Sequence, residues 1–497
     1  MCIRDRNKSF NDWSVNVNLG VSLSDSRYEM IGYEGGLKLI NFFAVHNIDF
    51  NKAWKAKQSG WHDQTRAIFA NAEIGWKSMI YLTATGRNDW DSRLAFSDYK
   101  SFFYPSIGLS AILTSMFNAP DWLTYLKVRG SYTEVGNSYG RFMTTVTYPY
   151  DEQTQSWTST SSYPNTKLKP ERTKSWEVGL DARILNDISL NLTYYRSNTY
   201  NQTFYADLSL SSGYSNIPIQ SGNIMNEGLE MSLGYNKQWK DFSFNTNYTL
   251  TWNKNRVKRL ADGVYNYATG QPIQMPELSP LTYGHTDARL ILRVGGSMGD
   301  VYGQRLLKRD LNGYILNEEG VGLAMENKET YLGSILPKMN MGWSLGFGYK
   351  GVNLGMTFTG RFGGIVISET QSVLDAAGVS KVSADVRDAG GVQINQSKVS
   401  AQTYYQTIQG TAAYYTYSAT NVRLGELSLS YTLPKKWFDN KVGMTVGLVG
   451  KNLWMIYCKA PFDPELTTSA ASNFYQGFDA YMLPSTRNFG FNVKFQF

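Results

Sequence analysis

The chain has 497 residues and a mean hydropathy of −0.35, and it contains 34 Tyr, 13 Trp and 45 Gly. No run reaches the roughly 18 consecutive apolar residues of a membrane helix, so we predict no helical span. The 48 basic and 41 acidic residues give a net charge of +7 and are spread along the chain without a basic run. This distribution argues against nucleic acid as a partner.

Residues 1–6 (MCIRDR) have neither the layout of a signal peptide nor a strand pattern. We predict a non-native or disordered leader over 1–6 and one β-barrel domain, incomplete at its N-terminal side, over 7–497. The first clear strand is expected near Trp13. Cys2 and Cys458 lie far apart and form no motif.

Strand-length segments in which every second residue is apolar recur along the chain. They lie at 15–23, 68–76, 80–84, 176–184, 188–194, 229–235, 242–252, 343–349, 352–358, 427–433 and 489–497. A period of two places all the apolar side chains on one face of a strand. Short polar turns between several of these segments predict hairpins. With weaker strands near 141–148, 200–210, 288–294 and 301–308, we expect about sixteen strands and at most one or two short helices in loops.

One shift in phase interrupts the alternation. Val422 and Leu424 are apolar at even positions, whereas Leu427 and Leu429 are apolar at odd positions. One extra residue restores the facing of a strand, so the shift predicts a β-bulge near Gly425.

The connections alternate between short turns and long stretches at 197–228, 253–289, 359–421 and 453–485. Outer-membrane barrels combine short periplasmic turns with long extracellular loops. A β-sandwich places long loops at both ends, and a propeller shows a blade-length repeat that this sequence lacks. We therefore predict an all-β, antiparallel transmembrane β-barrel in the outer membrane of a Gram-negative bacterium, with residue 497 on the periplasmic side.

The face opposite the apolar one carries charge. The alternation places these residues there: Arg87, Lys127, Arg129, Glu177, Asp181, Arg183, Glu230, Arg423 and Lys494. A charge on the lipid face at the bilayer midplane costs roughly 2–4 kcal/mol, so their consistent phase is meaningful. The charges fit either a solvated channel wall, as in a porin, or a surface that docks an internal plug.

Signals for catalysis or for a metal or cofactor are weak. Gly295, Ser297 and Gly299 match the GxSxG pattern, but no strand–turn–helix setting or His partner is apparent, so coincidence is the better explanation. His46, His62 and His285 are scattered, without metal-ligand spacing. Residues 310–313 (DLNG) resemble a calcium loop that lacks its third acidic ligand, and an ordinary turn is the better explanation. We predict no enzymatic activity, metal or cofactor.

The long loops are rich in aromatic residues. The candidates for contact with a substrate are Trp157, Tyr163, Tyr404, Tyr405, Tyr414, Tyr415 and Tyr475. Aromatic faces stack on sugar rings or pack on peptide side chains. For any single Tyr, a place in an interfacial girdle or packing within the loops is the more common role.

Several short stretches together resemble the SusC/RagA subgroup of TonB-dependent receptors. They are 86–92 (GRNDWDS), 103–106 (FYPS), 168–181 (LKPERTKSWEVGLD), 226–230 (NEGLE), 431–434 (YTLP), 451–453 (KNL), 463–465 (DPE) and 484–491 (PSTRNFGF). The resemblance implies the C-terminal part of a 22-stranded, plugged barrel that imports oligosaccharides or oligopeptides. It also implies a SusD-like surface lipoprotein at the extracellular mouth and TonB as the source of energy. Neither a plug domain nor a TonB box is recognisable within these 497 residues.

The last strand presents Phe489, Phe491, Val493, Phe495 and Phe497 on one face. The family resemblance implies that the barrel-assembly machinery recognises this strand and its terminal aromatic residue. The alternative is that these side chains only face outer-membrane lipid, each contributing roughly 1.5–3 kcal/mol of burial. Two other functions stay open for the whole protein: a passive porin-like channel and, with less support, an outer-membrane adhesin or enzyme.

Overall fold

The computed structural model describes residues 2–151, 156–220, 222–260, 277–318, 322–466, 468–469 and 473–496. Fifteen antiparallel strands form one large sheet, which we call the wall. In chain order they are β1 (Cys2–Phe10), β2 (Trp13–Gly35), β3 (Trp54–Trp76), β4 (Ile80–Asp91), β5 (Phe102–Ile112), β6 (Leu123–Asn137), β7 (Glu171–Ile184), β8 (Ile188–Tyr200), β9 (Asn223–Trp239), β10 (Phe242–Arg259), β11 (Met339–Tyr349), β12 (Val352–Phe362), β13 (Asn421–Leu433), β14 (Gly443–Cys458) and β15 (Asn488–Gln496).

The remaining elements of the described residues lie in the connections. The short strands are Tyr150–Asp151, Ser156–Trp157, Thr203–Asp207, Asn216–Gln220, Glu277–Thr282, Arg289–Arg293, Asp300–Leu307, Asn317–Glu318, Gly322–Leu323, Met325–Ser334, Ile365–Ser368, Val392–Ile394, Ser397–Val399, Thr416–Ser418 and Phe478–Asp479. The α-helices are Leu113–Met116, Glu369–Ala376, Lys381–Asp388 and Ala401–Ile408. The 3₁₀ turns are Val45–Asn47, Ser92–Leu94, Leu210–Ser212, Ala412–Tyr414, Lys435–Phe438 and Asn473–Gly477.

Each wall strand pairs with its neighbours in sequence, and β1 and β15 occupy the two edges. Among the described residues, no pairing joins these edges. The predicted count of about sixteen barrel strands is close to the fifteen strands of the wall. Strands do form at 203–207, 289–293 and 300–307, but in smaller sheets, and the stretch 141–148 contains no strand.

The N-terminal residues differ from the sequence-based expectation. Cys2–Phe10 forms a strand that pairs with β2 from Val21 to Trp13. No alternating pattern signalled it, because this strand takes its place from backbone pairing with β2. Whether residues 1–6 are native stays a prediction.

The wall has a short-turn end and a long-loop end. The connections 11–12, 77–79, 113–122, 185–187, 240–241, 350–351 and 434–442 lie at the first, and 36–53, 92–101, 138–170, 201–222, 260–338, 363–420 and 459–487 lie at the second. The two-residue turn at 350–351 has positive φ at both residues, +45° at Lys350 and +89° at Gly351, as a type I′ hairpin requires. The predicted asymmetry between turns and loops is confirmed.

The two faces of the wall differ in chemistry. The outward face carries an apolar band that includes Leu19, Ile68 and Leu109, all more than half exposed. Aromatic residues border this band, among them Trp176 near the long-loop end and Trp239 at the short-turn end. From Trp176 to Ile184, β7 rises roughly 27 Å, and tilted strands of this length match an apolar band about 25 Å tall.

The predicted bulge is present on β13. Leu427 pairs with Met356, Leu424 pairs with Phe358, and the register shifts between Thr357 and Phe358. The extra residue keeps Val422 and Leu424 on the outward face and Arg423 on the inward face.

The long loops at one end fold together into a structure that we call the cap. Its main apolar core draws buried side chains from four connections, including Ile219, Tyr283, Ile367 and Phe478. A second core lies in 307–323 and 394–415 and includes Leu307, Ile408 and Tyr415. The wall therefore supports a folded cap above its long-loop end.

The cap corrects the expectation of at most one or two helices. Three helices of eight residues lie in 363–420, in addition to the four-residue helix Leu113–Met116. The side chains of Ser368, Ser380 and Ser400 cap these helices by accepting backbone N–H bonds. Helices this short need tertiary packing to persist, so the local sequence signal was weak. No helix of the described residues is long and apolar enough to cross a membrane.

One hairpin projects beyond the rest of the wall. β2 and β3 have 23 residues each, more than twice the 9–11 needed for a tilted crossing. β1 pairs β2 only as far as Val21, and β4 pairs β3 only from Thr65. At the tip, the Asn47 side chain donates to the carbonyl oxygens of Leu39 and Phe42, at 2.8 and 2.7 Å. The hairpin is thus an ordered ribbon at the long-loop end.

Candidate functional site

The inward face of the wall holds the predicted charges. Cross-strand partners share a face of a sheet, and the register places all of them opposite the apolar band. Lys127, Arg129, Glu177 and Asp181 lie together on β6 and β7. The others lie apart: Arg87 on β4, Arg183 at the short-turn end of β7, Glu230 on β9, Arg423 on β13 and Lys494 on β15.

Arg129 joins three strands of the wall. Its Nη1 donates to Asp181 Oδ2 at 2.7 Å, and its Nη2 donates to Thr193 Oγ1 at 2.6 Å. Asn191 also donates to the Asp181 carboxylate. Because neighbouring strands engage its donors, Arg129 stabilises the inner surface of β6, β7 and β8.

Next to Arg129, the inward face has a concavity of about 530 Å³. Its charged lining includes Glu73, Lys127 and Glu177, with Ser110 and Ser131 between them. None of these three charges forms an ion pair with another described residue. Charged groups at membrane depth need water or a polar partner, so this concavity can hold either solvent or a complementary polar surface.

Arg87 has a different environment. Its Nε donates to Asp89 Oδ1 at 2.7 Å, and Tyr104 donates its hydroxyl to Asp89 Oδ2 at 2.9 Å. The guanidinium lies 5.8 Å from the centre of the Phe69 ring on the same face. This cluster ties β3, β4 and β5 together above the concavity.

Arg423 anchors the last long loop to the wall. Its Nη1 and Nη2 donate to Asp463 Oδ2 and Oδ1 at 2.9 and 2.8 Å, a bidentate pair. The two side chains are only 11 % and 8 % exposed. Asn421 Nδ2 donates to Glu465 Oε1 at 2.9 Å and completes the cluster, which we call the loop anchor (Asn421, Arg423, Asp463 and Glu465).

The electrostatics of the loop anchor favour the charged form of Asp463. Burial alone raises the pKa of this carboxyl. Hydrogen bonds from Arg423 and from the backbone N–H of Glu465 outweigh burial and hold the pKa below its ordinary value of 3.8. Asp463 therefore stays ionised and paired at neutral pH.

In the sequence analysis, Asp463 and Glu465 have no role beyond the family resemblance, and Arg361 is not among the predicted inward charges. Arg361 shares the inward face of β12 and donates to the carbonyl oxygen of Ile335 at 3.0 Å. Alternation along β12 was sufficient to find Arg361. The contact of Arg423 with Asp463 spans 40 positions and has no local signal.

Six of the seven candidate loop aromatics pack within the cap, and the seventh is exposed. Tyr404, Tyr405, Tyr414 and Tyr415 pack in or against the second cap core. Tyr163 and Tyr475 pack against the main core. Trp157 is 72 % exposed, with its ring 5.1 Å from that of Tyr150. Of the seven, Trp157 offers the most surface for a ligand to contact.

Two motifs of the sequence lie in turns. Ser297 is in the turn between the strands Arg289–Arg293 and Asp300–Leu307, where its backbone N–H donates to Asp300 Oδ2 at 2.8 Å. A strand follows this turn where a nucleophile elbow needs a helix. Asp310 Oδ1 accepts backbone N–H bonds from Asn312 and Tyr314, so its carboxylate stabilises a turn.

The last strand presents its aromatic residues outward. Phe489, Phe491, Val493 and Phe495 lie on the same face as Leu448 of β14. Phe489 and Phe491 are 81 % and 70 % exposed. Phe497 lies outside the described residues, so its part in assembly stays a prediction.

Comparison with known proteins gives the family. The sequence model for "TonB dependent receptor-like, beta-barrel" matches residues 4–453. TonB-dependent receptor P3 of Formosa agariphila is 24 % identical over 534 residues, which cover 98 % of this chain and 51 % of that protein. TonB-dependent receptor SusC of Bacteroides thetaiotaomicron is 25 % identical over 243 residues, or 48 % of this chain and 22 % of that protein.

Solved structures agree on the fold. The RagAB peptide importer in its "open-open" state superposes with a TM-score of 0.76 at 19 % identity, covering 100 % of this chain and 54 % of that one. The chain thus spans about half the length of most of these relatives. The predicted barrel fold, outer-membrane location and SusC/RagA resemblance are confirmed. The chain is similar to SusC and to the RagAB importer, and it belongs to the TonB-dependent receptor-like β-barrel family of Gram-negative outer membranes.

Proposed function

We propose that this chain forms the wall and the cap of an energised importer, which takes up oligosaccharides or oligopeptides across the outer membrane. The match to the TonB-dependent receptor family over residues 4–453 carries the proposal. The charged inward face and the folded cap above one end of the wall support it, because they provide a polar path and a place for substrate capture. SusC and the RagAB peptide importer are relatives of the same type.

The partners follow from the same relationship. A SusD-like lipoprotein covers the cap and delivers substrate, and TonB supplies energy through the plug region of the full-length protein. Exposed Trp157, beside Tyr150, is the candidate in the cap for direct contact with a sugar ring or an aromatic side chain.

The concavity with Glu73, Lys127 and Glu177 is the candidate docking surface for the plug. Its charges have no ion-pair partner among the described residues and lie on the inward face, where a plug in the full-length barrel supplies opposite charges and hydrogen bonds. Arg129, already bound to Asp181 and Thr193, stays part of the wall.

Uptake measurements test the function. Cells that produce the full-length protein and its lipoprotein are given labelled oligosaccharides and oligopeptides, with and without TonB. We expect uptake of one class to require both TonB and the lipoprotein. Uptake that continues unchanged without TonB indicates a passive porin and contradicts the proposal. Cell-surface binding without uptake supports an adhesin instead.

Charge reversal tests the docking surface. In the full-length protein, Lys127→Glu places three acidic groups in the concavity, so the plug should fit less well. We expect entry of bulky antibiotics to increase several-fold, as measured by growth inhibition. Lys328→Glu, an equal change on an exposed residue of the short strand Met325–Ser334, serves as the control. Equal sensitivity of the two variants argues for a solvated wall without a docked plug at this site.

A further inference from the structure

A band of basic residues lies on the outward face of the wall, near its long-loop end. Arg172 and Lys174 are on β7, Arg196 is on β8, and Lys254 and Arg256 are on β10. The register places them on one surface: Arg196 lies opposite Trp176 and Glu227, and Glu227 lies opposite Lys254. We call these five residues the basic band.

The basic band has an excess of positive charge. Glu134, the acidic residue on neighbouring β6, accepts from Arg172 at 3.1 Å and lies 3.2 Å from Lys174 Nζ. Glu227 is 4.0 Å from Lys254. Arg196 and Arg256 form no ion pair with any described residue. Five cations thus share two carboxylates.

A row of aromatic residues lies directly below the basic band. Tyr132, Trp176, Tyr194 and Trp252 are on the same outward face of β6, β7, β8 and β10. Trp176 and Tyr194 contact each other with ring centres 5.4 Å apart. Tyr and Trp in such rows mark the interface between hydrocarbon and headgroups. Lys174, Arg196 and Lys254 each lie two residues beyond an aromatic residue of the row on the same strand. Two residues span about 7 Å, so these cations reach the headgroup layer.

We propose that the basic band binds the phosphate groups of outer-leaflet glycolipid. Three observations carry this assignment: the outward facing, the position just beyond the aromatic row, and the cations without acidic partners. Basic clusters next to a membrane attract anionic headgroups, and guanidinium groups match phosphate in a bidentate geometry. The band is on the opposite face of the sheet from the inward charges, so it is independent of transport.

Lipid retention tests this proposal. The full-length protein is extracted from outer membranes in detergent, and native mass spectrometry measures bound phosphorylated lipid A. The variant Arg196→Gln/Lys254→Gln/Arg256→Gln removes three charges. Each lost charge should lower the affinity for phosphorylated lipid A roughly fivefold, so we expect the affinity of the triple variant to fall about a hundredfold. Wild-type protein should bind dephosphorylated lipid A as weakly as the variant binds the phosphorylated form.

The matched control removes three cations at the other end of the wall. Lys77, Lys240 and Lys350 lie in short turns, so Lys77→Gln/Lys240→Gln/Lys350→Gln should retain lipid A as the wild type does. If the triple variant of the basic band does not fold, shown by loss of heat-modifiable migration, Lys254→Gln alone should still lower the affinity about fivefold.

Three results of the lipid measurements overturn the proposal. They are equal retention by the wild type and the basic-band variants, equal binding of phosphorylated and dephosphorylated lipid A, and displacement of the lipid by millimolar inorganic phosphate. Loss of the lipoprotein from the purified complex, with lipid A retained, assigns the band to the protein partner and also contradicts the proposal.

Discussion

At the scale of single residues, the most constrained charges are those of the loop anchor. Arg423 and Asp463 are almost fully buried and bind each other through two hydrogen bonds. Removing one partner of a buried pair leaves the other charge without compensation, which costs about 3–5 kcal/mol. The anchor therefore decides whether 459–487 stays on the wall.

The first prediction concerns the pH dependence of the loop anchor. Because the folded-state pKa of Asp463 is lowered, its contribution is fully present above the ordinary value of 3.8 and is lost as the pH falls through the lower, folded-state value. Limited proteolysis at 459–487 should therefore stay slow above pH 4 and accelerate below it. Asp463→Asn should be cleaved faster at neutral pH and show little change with acid. Identical pH profiles for the two proteins contradict the prediction.

At the scale of elements, the bulge of β13 shows how a single residue decides which face a strand presents. Below the bulge Leu427 and Leu429 face outward, and above it Val422 and Leu424 do so. Without the extra residue, Arg423 faces the lipid side and loses Asp463. The bulge is thus a requirement for the loop anchor.

The second prediction follows from this geometry. Deleting Gly425 should prevent assembly of the full-length barrel, because part of β13 must then turn its apolar face inward. Gly425→Ala keeps the residue count. A Cβ at this position has its nearest contact, with the carbonyl oxygen of Thr357, at 3.5 Å, so this variant should assemble normally. Heat-modifiable migration of outer-membrane protein distinguishes the two. Normal assembly of the deletion variant contradicts this prediction.

The cap is an element-scale assembly of several loops, and Tyr283 is at its centre. Tyr283 is fully buried, its hydroxyl donates to the carbonyl oxygen of Phe474 at 2.7 Å, and its ring lies 5.1 Å from that of Phe478. We predict that Tyr283→Ala destabilises the cap by about 3–5 kcal/mol, whereas Tyr283→Phe costs about 1 kcal/mol.

Trypsin and gel migration measure this third effect. In Tyr283→Ala, trypsin should cleave faster at Lys381 and Arg387 in 363–420 and also at Lys459 in 459–487. Both loops should be affected because they share one core. The wall should keep its heat-modifiable migration. Faster cleavage in only one loop means that the loops fold independently.

At the scale of the whole molecule, the wall has an apolar outward face and a charged inward face. The outward face of β15 ends in a series of aromatic side chains next to β14. If the barrel-assembly machinery recognises this strand, loss of Phe497 should reduce the amount of assembled protein by more than the lost burial energy explains. Recognition of Phe497 is a proposal that rests on the sequence pattern and on the family resemblance.

The fourth prediction separates recognition from burial. Deleting Phe497 from the full-length protein should strongly reduce assembled protein in outer-membrane fractions and cause periplasmic degradation. Phe489→Ala removes an equal aromatic group from the other end of β15 and should have little effect. Equal amounts of folded protein from the deletion and the wild type refute recognition of Phe497.

The sequence alone determined eleven of the fifteen wall strands, their facing and the end of the wall at which the long loops lie. These features depend on residues that are neighbours in the chain: alternation decides the face, and a turn such as 350–351 decides the pairing of the strands it joins. Even the bulge at Gly425 was visible as a change of phase. The N-terminal strand Cys2–Phe10 was missed because it has no such alternation.

Only the tertiary structure decided the cap, the loop anchor and the basic band. Tyr283 meets Phe474 across 191 positions, and Arg423 meets Asp463 across 40. Whether a loop tyrosine such as Tyr415 is buried, or a tryptophan such as Trp157 is exposed, depends on how separate loops pack. Contacts at this separation leave no periodic signal in the sequence, because their energy comes from groups that chain folding alone brings together.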